Sequence, residues 1–91
     1  MTLPAAVSGL NDNLYFMGKQ LHIQTENTGS TATRIVTQVF CKGRVILSRK
    51  MDHPSIAGDS VRIRELMSSQ HLQTIREIKE KLSRLQNRAA H

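Results

Sequence analysis

Alternation of apolar and polar residues is the first regular pattern in the chain. From Met17 onward, Leu21 and Ile23 occupy odd positions, while the even positions from 20 to 26 are polar. Because successive side chains of a β-strand point to opposite faces, this alternation predicts a half-buried strand over about residues 14–26. Residues 1–13 are small and polar without such a period, and they predict a flexible N-terminal arm.

A β-hairpin is predicted next. β-Branched residues are frequent over residues 34–41 and 44–51, and the segment Lys42-Gly43 between them suits a tight turn. A two-residue loop would pair Phe40 with Val45, and this register places apolar side chains on both faces of the sheet. The two predicted sets are Val36, Phe40, Val45 and Leu47 on one face, and Ile35, Val39, Cys41 and Ile46 on the other.

A long amphipathic helix is predicted over about residues 59–88. Apolar residues recur there at helical spacing, and no Gly or Pro follows Gly58. Asp59 or Ser60 can cap the first turn. The predicted fold class is therefore α+β, with a three-stranded antiparallel β-meander followed by one long C-terminal helix, in a single β-β-β-α domain of residues 14–91. The apolar stripe comprises Ile63, Leu66, Met67, Leu72, Ile75, Ile78, Leu82 and Leu85.

One helix cannot cover both faces of such a sheet. An uncovered apolar face usually marks an interface, and the sequence leaves open which face that is. We therefore predict a small protein-interaction module, an adaptor or regulator, that forms a homodimer and binds another protein. The candidate contact residues are Val36, Phe40, Val45 and Leu47 on one face, or Ile35, Val39 and Ile46 on the other, with His22 and Gln24 supplying specificity.

Two further patterns bear on binding. Ile75, Ile78, Leu82 and Leu85 are spaced as in a coiled-coil seam, so they can join two helices or pack on the chain's own sheet. A polar strip comprises His22, Gln24 and Glu26 with Gln38 and Ser48 on the neighbouring strands. Such a strip forms a recognition surface or a solvated face.

No catalytic or metal-binding constellation is predicted. The histidines, His22, His53, His71 and His91, include no pair at the i,i+4 spacing of a helical metal site, and we expect them on the surface or at an interface. The single cysteine, Cys41, excludes an intramolecular disulfide, and its place near a hairpin indicates a structural role. We therefore expect a non-enzymatic protein without cofactor or metal.

The chain is basic, with thirteen Lys and Arg residues against seven Asp and Glu residues and a net charge of +6. These charges are spread along the sequence, and they suit nucleic acid, an anionic membrane or an acidic protein as partner. The alternative function is a nucleic-acid-binding module that uses the helix through Arg62, Arg64, Arg76, Lys79, Lys81 and Arg84. Adsorption of the same helix to an anionic membrane is a third interpretation.

No segment approaches the roughly 20 apolar residues of a membrane span. No secretory signal is recognisable in the first residues either. A cytoplasmic location is therefore predicted.

Part of the chain resembles a type of bacterial module. A strand with His22-Ile23-Gln24-Thr25-Glu26, followed by a hairpin around Gly43-Arg44-Val45-Ile46, is similar to a short module found near bacterial motility, pilus and signalling proteins. The resemblance covers residues 18–51. It implies a bacterial origin and a partner-binding role, and it implies no catalytic residues.

Overall fold

The computed structural model describes residues 8–28, 34–53 and 58–89. Within these ranges, one antiparallel sheet has its strands in chain order, and one helix follows it. The α+β class, the antiparallel sheet and the long C-terminal helix are confirmed, whereas the prediction of three strands is wrong. The elements are β1 (Leu10–Phe16), β2 (Lys19–Thr28), β3 (Arg34–Cys41), β4 (Arg44–Asp52) and α1 (Ser60–Ala89).

The additional strand arises because the segment predicted as one strand over residues 14–26 contains a hairpin. Met17 and Gly18 both have positive φ, 49° and 77°, and they reverse the chain between β1 and β2. β1 begins at Leu10, inside the predicted flexible arm, of which residues 1–7 lie outside the described residues. Met is not among the residues that favour positive φ in two-residue turns, so the sequence signal for this hairpin is weak.

The β3–β4 hairpin has the predicted turn, but its register then changes. The Lys42-Gly43 turn repeats the first turn, with φ of 52° and 77°. Phe40 pairs with Val45 as predicted, and an irregularity between Val39 and Phe40 then makes Leu47 the partner of Val39. This β-bulge inserts one extra residue, Ile46, into β4.

The bulge moves two side chains from their predicted faces. Leu47 packs with Val39 in the core, not beside Phe40, so its predicted face is wrong. Ile46, predicted to lie with Val39, is exposed at the bulge. A shift of one residue exchanges the faces of every later side chain in a strand, which is why one bulge has this effect.

α1 begins at a capped first turn. The Asp59 carboxylate accepts a hydrogen bond from the backbone N–H of Arg62 at 3.1 Å, and the Asp59 carbonyl accepts one from Ile63 at 3.0 Å. Asp59 is therefore the N-cap, one of the two residues predicted for this role. α1 packs across β2, with contacts to β3 and β1. We call the side of the sheet that α1 covers the inner face, and the opposite side the outer face.

Two apolar clusters form the core between α1 and the inner face. Near the start of α1, Ile63 and Met67 pack with Ile35. Further along, Leu21, Ile23 and Val39 pack with Ile75, Ile78 and Leu82. The start of α1 therefore lies near Ile35, and its later turns lie near Leu21 at the start of β2. Because of this order, α1 runs antiparallel to β2.

The last turns of α1 extend beyond the sheet. Every residue from Ser83 to Arg88 is exposed, because a helix of 30 residues is about 45 Å long at 1.5 Å per residue. The Met17-Gly18 and Lys42-Gly43 turns lie at this same end of the sheet, since they close the β1–β2 and β3–β4 hairpins. We call this end of the molecule the hairpin pole.

Candidate functional site

The outer face carries the predicted polar strip, and no described helix covers it. His22, Gln24 and Gln38 are half-buried on it, and Glu26 and Ser48 are exposed. Gln24 donates a hydrogen bond from Nε2 to Glu26 Oε1. The strip therefore spans three neighbouring strands. Apolar side chains were predicted on both faces of the sheet, but polar residues outnumber apolar ones on the outer face.

Asparagines of β1 hold His22 in place. Its Nδ1 lies 2.9 Å from Asn13 Oδ1, and its Nε2 lies 3.2 Å from Asn11 Oδ1. Gln20 donates from Nε2 to the same Asn13 oxygen at 3.0 Å. Both ring nitrogens lie near amide oxygens, which accept hydrogen bonds, so a neutral imidazole donates to one of the two asparagines. This network was not predicted, since its asparagines lie in the segment taken as a flexible arm.

A groove opens beside His22 at the hairpin pole. The ring of Phe40 lies next to the His22 ring, with centroids 6.2 Å apart and planes inclined by 40°. The groove has a volume of about 640 Å³ and contains two lysines and no carboxylate. Tyr15, the cross-strand partner of Gln20, is 74% exposed beside it. The lining residues are Met17, Gly18, Lys19, Gln20, His22, Phe40, Lys42 and Gly43.

The inner face contains a buried polar layer between the two apolar clusters. His71 Nε2 lies 2.7 Å from Asp12 Oδ2, and its Nδ1 lies 2.7 Å from Thr25 Oγ1. Thr25 Oγ1 lies 2.7 Å from Thr37 Oγ1, and Gln70 donates from Nε2 to Thr37 Oγ1 at 3.0 Å. We call these five residues the polar layer.

A neutral His71 with its proton on Nε2 satisfies the whole polar layer. Gln70 then donates to Thr37, Thr37 to Thr25, and Thr25 to Nδ1 of His71. His71 finally donates from Nε2 to the Asp12 carboxylate, the only member that is exposed. Each hydroxyl donates once and accepts once, so every buried polar side chain of the layer has a partner.

The order Asp12, His71, Thr25 is that of a catalytic triad, but the hydroxyl cannot reach a substrate. Thr25 is 0% exposed and His71 is 2% exposed. A nucleophile must approach the carbon that it attacks, and here the hydroxyl is enclosed by Thr37 and α1. We conclude that the polar layer fixes α1 on the sheet and carries no chemistry at Thr25.

Two histidines differ from the prediction of surface positions. His71 is buried in the polar layer, and His53 is buried with Nε2 2.8 Å from Asn27 Oδ1. His91 lies outside the described residues. His22 lies on the outer face, whereas His71 lies on α1 at the inner face. Among the described residues, no group of three or more His, Cys, Asp or Glu side chains is placed to hold a metal ion.

The candidate contact residues on the inner face are unavailable to a partner. Ile35 and Val39 are fully buried under α1, and Leu47 packs against the same core. Cys41 is a free cysteine, half-buried against that core. Val36 and Phe40 are half-buried on the outer face. The candidate contact residues are divided between the two faces because side chains alternate along each strand and because the bulge in β4 changes the register.

The helix seam has the simpler of its two interpretations. Ile75, Ile78 and Leu82 pack on the chain's own sheet, and only Leu85 of the four is exposed. Leu72, placed on the apolar stripe by the sequence, is exposed instead. Polar residues of α1 occupy the buried positions between the two clusters.

β4 is an edge strand with unusual apolar exposure. Val45 and Ile46 are 49% and 57% exposed, and Met51 is 38% exposed. α1 reaches this strand through an ion pair between Arg49 and Glu77. The hydrogen bond from Arg49 holds the pKa of Glu77 below its ordinary value of 4.5. The inner side of β4 is thus only partly covered by α1.

Positive charge is concentrated at the hairpin pole. Every Lys, Arg, Asp and Glu of the sequence lies in the described residues. The end of the molecule between Leu21 and the hairpin pole, together with the last turns of α1, has seven basic residues and one acidic residue. The rest of the molecule has six of each. The net charge of +6 therefore belongs to one end of the protein. The residues at that end are Lys19, Lys42, Arg44, Lys79, Lys81, Arg84 and Arg88, with Glu80.

This distribution changes the surface predicted for nucleic acid. Arg62 and Arg64 lie near the opposite end of α1, beside Asp59 and Glu65. Arg76 lies between the two ends of the helix. The six predicted basic residues therefore do not form one surface, and the hairpin pole adds lysines that were not in the predicted set.

Comparison of the chain with protein-family models, with curated proteins and with solved structures found no match. The described part of the chain contains no helix that is long and apolar enough to cross a membrane.

Proposed function

We propose that this chain is a small, non-enzymatic protein-interaction module that forms a homodimer through β4. The observation that carries the proposal is the apolar exposure of this edge strand. Three of the eight large apolar side chains exposed in the described part of the chain are Val45, Ile46 and Met51 of β4. A second β4 running antiparallel would satisfy the free backbone groups of the edge and cover these side chains.

The shape of the monomer favours β4 over the other edge strand. β1 has polar Asn11 and Asn13 engaged with His22, and its only strongly exposed apolar side chain is Tyr15. Beside β4, the surface that α1 leaves partly uncovered contains half-buried Leu47 and exposed Met51. A second copy of the chain paired at β4 would enlarge this apolar surface. Full burial of an exposed side chain of this size contributes about 1.5–3 kcal/mol, and these partly exposed side chains contribute a fraction of that.

Molar mass in solution tests the dimer. Light scattering after size-exclusion chromatography, over a range of protein concentrations, should give twice the mass of the chain. Ile46→Lys should convert the dimer to a monomer, because a charge on an edge strand opposes strand pairing. Val61→Lys is the matched control, since Val61 is 65% exposed and lies on α1.

Two outcomes would contradict this interface. One is a native protein that remains monomeric at every concentration. The other is a dimer that loses its mass equally with Ile46→Lys and with Val61→Lys, because the control removes a similar apolar area from a different element. If the dimer persists in Ile46→Lys, Met51→Lys is measured next. A dimeric mass in both variants would exclude β4 as the interface.

The wider role that we propose is that of an adaptor or regulator in a bacterial cytoplasm. Cys41, which is a free thiol, suits a reducing compartment. The resemblance of residues 18–51 to a module near motility, pilus and signalling proteins supports a partner-binding role. Co-purification of the native protein with a second protein from its own cell, lost on mutation of the outer face, would test that role.

A further inference from the structure

The hairpin pole combines two features besides the exposed edge of β4. The first is the net positive charge, all of which lies at this end. The second is the groove on the outer face, which is lined by the rings of His22 and Phe40 together with Lys19 and Lys42. A ligand that uses both features must carry negative charge and flat apolar surfaces.

We propose that this groove binds a single strand of nucleic acid. The lysines would contact phosphates, and the exposed ring of Tyr15 and the ring of Phe40 would stack on bases. Proteins that bind single strands combine a positively charged groove with aromatic side chains in this way. Phe40 lines this groove, and the exposed Tyr15 is the cross-strand partner of Gln20, which also lines it.

The surrounding residues favour this ligand over other polyanions. An acidic peptide would use Lys19 and Lys42 but would leave the rings without a role. An anionic membrane would meet the end of α1, where Leu85 is the only exposed large apolar residue among the described residues beyond Leu82, and it would not enter a groove on the sheet. Gln20 and His22 add hydrogen-bonding groups for base edges, held in position by Asn13.

Fluorescence anisotropy with a labelled oligothymidylate of about 12 nucleotides tests the proposal, because sites of single-strand-binding folds cover about 4–16 nucleotides. The native protein should bind at about 50 mM salt, and log K should fall linearly with log salt concentration. Tyr15→Thr and Phe40→Leu should each weaken binding by about fivefold or more, since stacking contributes about 1–3 kcal/mol per base. Leu72→Thr, on the exposed side of α1, is the control for the loss of an exposed apolar side chain.

A pair of charge variants tests the lysines. Lys19→Gln with Lys42→Asn should reduce the salt slope by about 1.4, since each phosphate contact of a single strand contributes about 0.7. Asn is chosen at position 42 because it tolerates the positive φ of 52° found there. Arg62→Gln with Arg64→Gln removes the same charge from the opposite end and should leave the slope unchanged.

Four results would overturn the proposal. They are no binding of the oligonucleotide at low salt, equal affinity for a duplex of the same length, no effect of either ring variant, and equal effects of the two charge pairs. Binding to phosphatidylserine vesicles without binding to the oligonucleotide would assign the pole to a membrane instead. A melting temperature within a few degrees of the native value shows that each variant is folded. If Phe40→Leu does not fold, Tyr15→Thr alone tests the role of the rings. None of the substituted residues lies in β4, so the variants leave the strand proposed for the homodimer unchanged.

Discussion

Removal of the Thr25 hydroxyl should destabilise the protein far more than removal of an equally buried hydroxyl elsewhere. Thr25→Val changes little volume, but it interrupts the polar layer at its centre. His71 Nδ1 loses its donor, and the Thr37 hydroxyl loses its acceptor. Each buried polar group without a partner costs about 1–3 kcal/mol. We therefore expect the free energy of unfolding to fall by about 2–4 kcal/mol.

Thr74→Val is the matched control. Thr74 is also 0% exposed, and its hydroxyl donates to the carbonyl of Gln70 at 2.7 Å. That carbonyl also accepts the backbone N–H of residue 74 in the helix, so the control leaves no buried group without a partner. Its cost should stay near 1 kcal/mol, the net value of one hydrogen bond.

Urea and thermal unfolding, followed by circular dichroism, measure the difference. For a domain of this size, 1 kcal/mol shifts Tm by about 4–8 °C, so Thr25→Val should lower Tm by about 8–32 °C. Equal destabilisation by the two variants would refute the reasoning, because it would show that burial of the hydroxyl matters and its place in the layer does not. A Thr25→Val protein as stable as the native one would refute it as well.

Two further predictions concern α1. Glu77→Gln should lower Tm at neutral pH, because the ion pair with Arg49 depresses the pKa of Glu77 and so stabilises the fold above the ordinary value of 4.5; the difference from native should vanish as pH falls through the lowered pKa, and Glu65→Gln should show no such dependence. Leu82→Ala should cost about 2 kcal/mol, whereas Leu85→Ala, beyond the sheet, should change stability by less than about 0.5 kcal/mol; equal losses would mean that the overhang is packed in solution.

The helix was predictable because its signals are local and agree with one another. An apolar stripe at helical spacing, a capping carboxylate at Asp59 and the absence of Gly and Pro after Gly58 all favour the same element. The predicted range of residues 59–88 differs from Ser60–Ala89 by one residue at each end. The β3–β4 turn at Lys42-Gly43 was found for a similar reason.

β1 was missed because the polar layer disturbs its pattern. Leu10, Leu14 and Phe16 alternate as a strand should, but Asp12 occupies the position between them. A carboxylate at a core-facing position is acceptable only because His71 meets it 59 residues later in the chain. The alternation rule considers neighbours in sequence, and this partner is a neighbour only in space.

The candidate surfaces also differ in how far they could be predicted, because some depend on local sequence and others on residues far apart in the chain. Polar His22, Gln24 and Gln38 were grouped as one strip from the alternation along the strands, and the pairing of Gln24 with Gln38 comes from the structure. The concentration of charge at the hairpin pole was not predicted, because the basic residues of β2, of the β3–β4 turn and of α1 are far apart in sequence. They come together only when α1 runs antiparallel to β2 and extends past both turns.

The order of the strands has a consequence for the kinetics of folding. Each strand pairs with its neighbour in the chain, so the sheet closes only short loops and can form early. The polar layer joins Asp12 and Thr25 to His71 over 59 and 46 residues, and it is complete only when α1 docks. Interactions that form after the rate-limiting step affect unfolding more than folding. The polar layer should therefore determine how long a folded molecule persists, while the two hairpins determine how quickly it arises.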